Sequence, residues 1–536
     1  MIALAALTGP LPKAGVVVVA VLVAGVLLVR SNRHRAVLML GALVVSPPLL
    51  LASIWHDSKL HFVHHHPLYA AAAAVAALVA VAVLAVVIDH WPTTFVVMTL
   101  IALPFRVSVS GSNLLVPRYF VIGAGALRYA VRALRSDEVP DIDAGWIERL
   151  LALFVVLYAI QALYSSDFET ALKNMVFFYV PFALLYCMLA RIEWTPRLIR
   201  IGVWTIAALA LALSGIAFVE YAARTTWFSS RLAHENQLYV YFVANSVFFD
   251  PNIFGRFLAL VMVALAVLLL YERPPPEQLG ASAVLALLWA ALLISFSRSS
   301  MIALLVGLAL LAAIRWRPEA PLAVGAAVIV LGAAAVAIRP TTFGLNQGLN
   351  GVSAGRGSVL KGGVQLFGDR PLQGFGSGSF EHQYRLHNPN AGPLTASHTT
   401  PVTVAAEQGV IGELVYLALV LTALVVLVRG ARSNPARAAI AAAFAALLVH
   451  TMLYADFLED PFTWALLGIG AALARASPVG EELPAYGTKT ATPIPSAAGS
   501  ASGAVARASV TSSSTLSWKG GRWISRRRSM PESTAT

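Results

Sequence analysis

The apolar residues of this chain run in long unbroken stretches rather than in stripes. Stretches at 69–88, 201–219, 253–270, 321–338 and 411–428 are built mainly of Ala, Val, Leu and Ile. Roughly 20 apolar residues are what a helix needs to cross the hydrocarbon layer of a bilayer. Two of the stretches carry a single charge near their start, Arg256 and Glu413. No water reaches the backbone there, so the runs read as helices, which satisfy their own hydrogen bonds. The alternating pattern of a membrane barrel is absent from them. The same reading applied to the whole chain predicts spans near 14–29, 36–54, 68–88, 93–105, 114–131, 150–164, 174–190, 198–222, 253–271, 281–297, 300–314, 320–338, 402–428, 437–454 and 461–474. The runs 93–105 and 461–474 are short, which leaves room for a re-entrant segment or one kinked helix. The expected total is about 12–15 spans.

Composition agrees and removes the soluble alternative. Of the 536 residues, 58% are hydrophobic and 12% charged, against about a quarter charged in a soluble domain. The fold class is therefore an all-α integral membrane protein. The lone cysteine, Cys187, excludes an intrachain disulfide and a cysteine-based metal site. No cleavable signal peptide is evident in the first apolar run.

Charge then orients the spans. Basic clusters fall at Arg30/Arg33/Arg35, Arg128/Arg132/Arg135, Arg191/Arg197/Arg200, Arg315/Arg317 and Arg429/Arg432/Arg437. With the spans above they share one side, and Lys/Arg-rich loops lie in the cytoplasm. The segments 224–252 and 339–401 are then expected outside. The Ser/Thr/Ala-rich tail 476–536 is expected inside as a disordered extension of the transmembrane domain 1–475, since its composition cannot support a core. Its basic run of Lys519, Arg522, Arg526, Arg527 and Arg528 either touches anionic headgroups or is simply solvated. The net charge of +12 follows from this asymmetry and does not imply nucleic-acid binding.

The outer loop 339–401 is where chemistry is expected. Loops longer than about 15 residues are usually functional or disordered, and this one is not low-complexity. It reads Gly355-Arg356-Gly357-Ser358, and 359–367 suits a short amphipathic helix. Then comes Asp369-Arg370-Pro371-Leu372-Gln373-Gly374-Phe375-Gly376-Ser377-Gly378-Ser379-Phe380, whose glycines suit tight turns. It closes on Ser397-His398-Thr399-Thr400-Pro401, ahead of the next span. A neutral imidazole at such a boundary is suited to act as a general base, or simply caps the helix. Arg298 lies between two spans, where its planar fork suits phosphate oxygens, or it snorkels to the interface. Arg256 is similar but one turn into its span, and Asp250 or another nearby carboxylate neutralises it in the simpler reading. Arg256, Arg298, Arg356 and His398 together would bring several cations and one base to the outer face. That set suits transfer from a lipid-linked diphosphate without a metal. His61, His64, His65 and His66 are consecutive or nearly so and rarely face one ion. No metal site and no cofactor is expected.

Four motifs in order carry a family resemblance. They are Phe249-Asp250-Pro251-Asn252, Ser297-Arg298-Ser299, Gly355-Arg356-Gly357, and Ser397-His398 ahead of Ala406-Glu407-Gln408-Gly409-Val410-Ile411-Gly412. Over residues 150–475 the chain resembles the O-antigen ligase and O-antigen polymerase superfamily of bacterial membrane glycosyltransferases. The resemblance implies a lipid-dependent, GT-C-like architecture in the cytoplasmic membrane, with the active site on its extracytoplasmic side and a role in cell envelope biogenesis. It implies transfer of a glycan from an undecaprenyl diphosphate carrier to a glycan, lipid or protein acceptor. It further implies that His398, Arg298 and Arg356 are catalytic. Arg256, Asp250, Asn252, Lys361, Arg370 and Glu407 complete the expected substrate-binding set. The family often has Asn directly after the histidine, where this chain has Thr399. The rival from another class is a lipid-linked oligosaccharide flippase, which needs a cationic cavity but no base in an outer loop.

Overall fold

The computed structural model describes residues 10–54, 64–105, 107–109, 112–114, 116–135, 141–238, 241–271, 274–316, 356–389, 397, 399–454, 456–476, 517–519 and 522–524. The chain divides into two units, Met1–Glu481 and Glu482–Thr536. In the second unit the described element is a hairpin that pairs Trp518 with Trp523. The rest of the tail expected to lack a core lies outside the described residues, as do the expected span 321–338 and His398.

The first unit is a helical membrane bundle. In chain order its helices are α1 (Pro10–Leu28), α2 (Asn32–Ile54), α3 (Pro67–His90), α4 (Thr93–Ala102), α5 (Val116–Arg135), α6 (Trp146–Ala162), α7 (Phe168–Asn174), α8 (Val180–Leu189), α9 (Pro196–Ala223), α10 (Ser230–Leu238), α11 (Pro251–Leu270), α12 (Pro275–Ile294), α13 (Arg298–Arg315), α14 (Arg356–Asp369), α15 (Phe380–His387), α16 (Thr400–Val428), α17 (Pro435–Tyr454) and α18 (Pro461–Ala476). Ten candidate spans among the described residues are long and apolar enough to cross a membrane. The helix expected near 359–367 is α14, which extends further in both directions. The expected span 93–105 is instead the ten-residue α4. Pro104 follows it closely and has no N–H with which to continue the helical ladder. A small hairpin, β1 (Val107–Val109) with β2 (Ser112–Leu114), separates α4 from α5. Between α7 and α8 a π-helical turn covers Met175–Tyr179, just ahead of Pro181.

Arginines pin one end of the bundle. Arg35 donates to the Val26 carbonyl at 3.0 Å, and Arg315 to the Leu270 carbonyl at 3.1 Å. Arg437 reaches the Val426 carbonyl at 3.1 Å. Arg475 donates to the Ala190 carbonyl at 2.5 Å and to Glu148 at 3.0 Å. Each accepting carbonyl closes the C-terminal turn of a helix that ends here, where unpaired C=O groups and the negative pole of the helix attract cations. The same residues that set topology therefore also cap the helices.

Helix contacts in lipid rest on close packing rather than on hydrophobic expulsion, so small residues sit where backbones approach. Gly307 of α13 is such a point. A Cβ there would lie 2.7 Å from Val263 of α11 and 3.2 Å from the Ala442 carbonyl of α17. Gly307→Val is expected to destabilise the bundle by about 1–3 kcal/mol. Gly280→Ala, which meets only the rim of Trp204 at 4.0 Å, should leave thermal unfolding of the purified protein in detergent almost unchanged.

Candidate functional site

The end opposite the arginine-capped carbonyls gathers most of the polar residues singled out by sequence. Asp250 caps the N-terminus of α11, accepting from the Asn252 amide at 2.7 Å and from its Nδ2 at 3.0 Å. This fixes the Asn252 carboxamide, whose Oδ1 accepts from Ser297 Oγ at 2.9 Å and Ser299 Oγ at 3.2 Å. Ser297 in turn caps α13 by accepting from the Ser300 amide. Gly255 makes this contact possible, because a Cβ there would lie 2.7 Å from Ser300 Oγ and 2.9 Å from Ser297 Cβ. Ser299 Oγ lies 3.3 Å from Nε2 of His450 in α17, and His450 Nδ1 is buried without a partner.

Arg256 is buried at 3% exposure and forms an ion pair with the equally buried Asp460. The neutralising carboxylate is thus Asp460, while Asp250 serves its own helix. Nε and one terminal nitrogen of Arg256 have no partner. Unpaired donors in a buried site are costly, and Arg256 carries two of them beside Asp460. Arg356 opens α14 and donates to the Leu453 carbonyl of α17 at 2.8 Å. Arg298 is exposed at the first position of α13. Lys361 and Arg370 are exposed too, and Arg370 lies over the Phe375 ring at 4.7 Å.

Glu407 sits elsewhere and does something different. Its carboxylate accepts from the Gly378 amide at 2.8 Å and the Phe380 amide at 3.0 Å. Around it the segment 371–380 lies along α16 through main-chain bonds. Phe375 donates to Ala406 at 3.2 Å, Gly376 to Glu407 at 2.8 Å, and Val410 to Pro371 at 2.7 Å. The pairing needs a break in α16, supplied by Gly409 at φ 66°. It also needs Gly374, also left-handed, where a Cβ would lie 2.2 Å from the Glu407 carbonyl. Turn residues after α6 hold the other side. Ser165 donates to the Ser377 carbonyl at 2.8 Å and Tyr164 to the Gln373 carbonyl at 2.6 Å. Burial pushes the Tyr164 hydroxyl up, against weaker opposing pulls from Gln161 and Arg370, so it stays a donor.

The neighbours of His398 are held as well. Ser397 is buried, with Oγ 2.8 Å from Thr403 Oγ1 and donating to the Thr399 carbonyl at 2.7 Å. Thr400 Oγ1 reaches the Thr451 carbonyl at 3.2 Å, next to His450. Gly363 lets α14 approach this point, since a Cβ would lie 2.6 Å from Val402. Four non-glycine residues adopt left-handed backbone among the described residues, Arg224, Ser246, Phe296 and Asp456. Each lies in a turn at this end of the bundle, and such strain concentrates at functional sites. His450 and Asp460 are the partners that sequence reasoning did not connect to Arg256 and Ser299.

Residues 283–417 match the family model described as O-Antigen ligase. This match covers a quarter of the chain and makes that segment similar to the O-antigen ligase family. The matched segment carries Arg298, Arg356, Lys361, Arg370 and Glu407, while the partners at 250–256 and 450–460 lie outside it. No curated protein matches the chain. The match supports, at the level of the family, a glycan-transferring membrane protein that takes a lipid-linked glycan and an acceptor.

Glu407→Gln keeps the side-chain shape but replaces one acceptor oxygen by an NH₂ facing an amide donor. Leaving a buried donor unpaired costs about 1–3 kcal/mol. Amide exchange at Gly378 and Phe380 is therefore expected to speed up by about tenfold, while the α11–α13–α17 contacts exchange as before.

Proposed function

We propose that the chain transfers a glycan from an undecaprenyl diphosphate carrier to an acceptor hydroxyl at the extracytoplasmic face of a bacterial cytoplasmic membrane. The observation that carries this reading is the convergence of cations and unpaired polar groups at one end of the bundle. Arg356, the Arg256–Asp460 pair and His450 meet there beside the Asn252–Ser299 contact. The opposite end holds the arginine-rich loops, which the positive-inside rule assigns to the cytoplasm. The family match supports the class of reaction.

In this reading Arg298 and Arg356 bind the diphosphate. Arg298 is exposed at a helix N-terminus, where the positive pole of the dipole adds to its charge. Arg356 is tethered to α17 through one nitrogen, leaving the rest of its fork for phosphate oxygens. His398 takes the proton from the acceptor hydroxyl. The acceptor oxygen forms a bond to the anomeric carbon, the bond from that carbon to the diphosphate oxygen breaks, and undecaprenyl diphosphate leaves with its charge held by the arginines. Arg256 supports the site from beneath as a fixed positive charge, with Asp460 compensating it. Asp250 and Asn252 shape the rim, Glu407 holds the loop, and Lys361 and Arg370 contact the glycan or diphosphate from the solvent side. The architecture is of the GT-C-like type, with the carrier lipid between helices and the sugar under the loop 339–401.

The test uses purified protein with an undecaprenyl-diphosphate glycan and candidate acceptors. Release of undecaprenyl diphosphate together with an enlarged acceptor is expected, unaffected by EDTA. Loss of a general base costs on the order of 10²–10⁴ in rate, so His398→Ala should fall by that much while inserting normally. Arg298→Ala and Arg356→Ala should fall by about 10²–10³. Full transfer by His398→Ala would remove the base assignment. Movement of the lipid-linked glycan across liposome membranes without any product would favour the flippase instead.

A further inference from the structure

The opposite end of the bundle holds a cavity that glycan transfer does not use. It encloses about 480 Å³ between the starts of α4 and α9 and the ends of α5 and α8. That volume is in the ordinary range for a small-ligand site. Its wall carries Arg128, Arg132, Arg191 and Arg197, and deeper in the bundle it is lined by apolar side chains such as Phe95 and Met188.

The charges of this wall are not balanced from within. Arg132 and Arg128 share one carboxylate, Asp89, at 2.6 and 3.3 Å. Arg191 donates from one terminal nitrogen to the Cys187 carbonyl at 2.9 Å. Its Nε is buried without a partner. Arg197 is exposed and takes part in none of the ion pairs or side-chain hydrogen bonds among the described residues. It also stands in the first turn of α9, where the helix dipole repels a cation. Local helix stability therefore does not explain its presence there. Besides Asp89, the nearby carboxylates are Glu193, on the same wall, and Glu148, which attracts Arg191 but is already paired with Arg475. Against these four guanidiniums and Arg475 stand three carboxylates. A general excess of arginine at a cytoplasmic face sets topology, but it does not require four of them to surround one cavity with an apolar floor.

We propose that this cavity holds the phosphate of an anionic phospholipid from the inner leaflet, with its acyl chains along the apolar wall. The guanidinium fork matches phosphate oxygens, and Arg191 Nε supplies the missing donor from within. The apolar floor separates a lipid from a soluble anion, which would leave that surface uncovered. A bound lipid would join four helices that otherwise meet only in part, and would stabilise the folded bundle by mass action.

The test is lipid retention by the full-length protein, read by native mass spectrometry after delipidation and addition of phosphatidylglycerol. Wild type is expected to hold one phosphatidylglycerol in preference to phosphatidylcholine. Arg191→Gln/Arg197→Gln should weaken retention by about fivefold for each arginine removed. Arg429→Gln/Arg432→Gln, at the same end but outside the cavity, should retain the lipid as wild type does. Arg197→Gln alone alters only an exposed side chain and keeps the comparison readable if the double variant misfolds. Equal retention in Arg197→Gln and wild type overturns the site. Equal loss in both double variants overturns it too, by assigning retention to the general charge of the face. Inorganic phosphate that raises thermal stability as much as phosphatidylglycerol does would replace the lipid by a free anion.

Discussion

The carboxylate of Glu407 is the fixed point from which the loop side of the site is built. It is held inside α16 about two turns into the helix, and it accepts from two main-chain amides of the 371–380 segment. A carboxyl group is costly to bury, and two aligned N–H donors offset part of that cost. The break at Gly409 frees Val410 to pair with Pro371 instead of continuing an unbroken helix. The loop is therefore joined to α16 like an added strand. Because α14 precedes that segment, its packing through Gly363 onto Val402 follows from the same anchor. So does the placement of Arg356 at the head of α14.

A second, independent frame is made by α11, α13 and α17. There the small residues Gly255 and Gly307 allow backbones to approach, and the polar groups of Asn252, Ser299 and His450 join across the gap. The two frames meet where Arg356 touches Leu453 and where Thr400 touches Thr451. Ser397, Thr399 and Thr400 are fixed at that junction. The candidate site is thus a seam between a loop-bearing helix and a three-helix core.

Much of this was legible in the sequence, for physical reasons that differ by element. Runs such as 253–270 announce α11 because crossing lipid demands an uninterrupted apolar stretch. The 93–105 run looked similar, yet Pro104 and a short hairpin confine it to a ten-residue helix. α14 was expected from its pattern, and Arg298, Arg356 and Asn252 from their place in motifs. The partner of Arg256 was not legible. Asp460 lies some two hundred residues away, and no local spacing links them, so the nearer Asp250 looked equally able to serve. Glu407 stood in a recognisable motif, but its role as a clamp depends on glycine conformations and main-chain pairing, which leave no periodic trace. The cavity between α4, α5, α8 and α9 was equally hidden, because its arginines read simply as topology signals.

The central claim is that the diphosphate lies at the seam of α11, α13, α14 and α17. The most direct measurement is photo-crosslinking with an undecaprenyl diphosphate glycan bearing a diazirine on its first isoprene unit, followed by mapping of the adducts. Adducts within residues 250–256, 297–300, 356–360 and 450–456, competed away by unlabelled substrate, are what this arrangement predicts. Competed adducts confined to the arginine-rich cavity at the other end, or specific adducts on none of these segments, would contradict it.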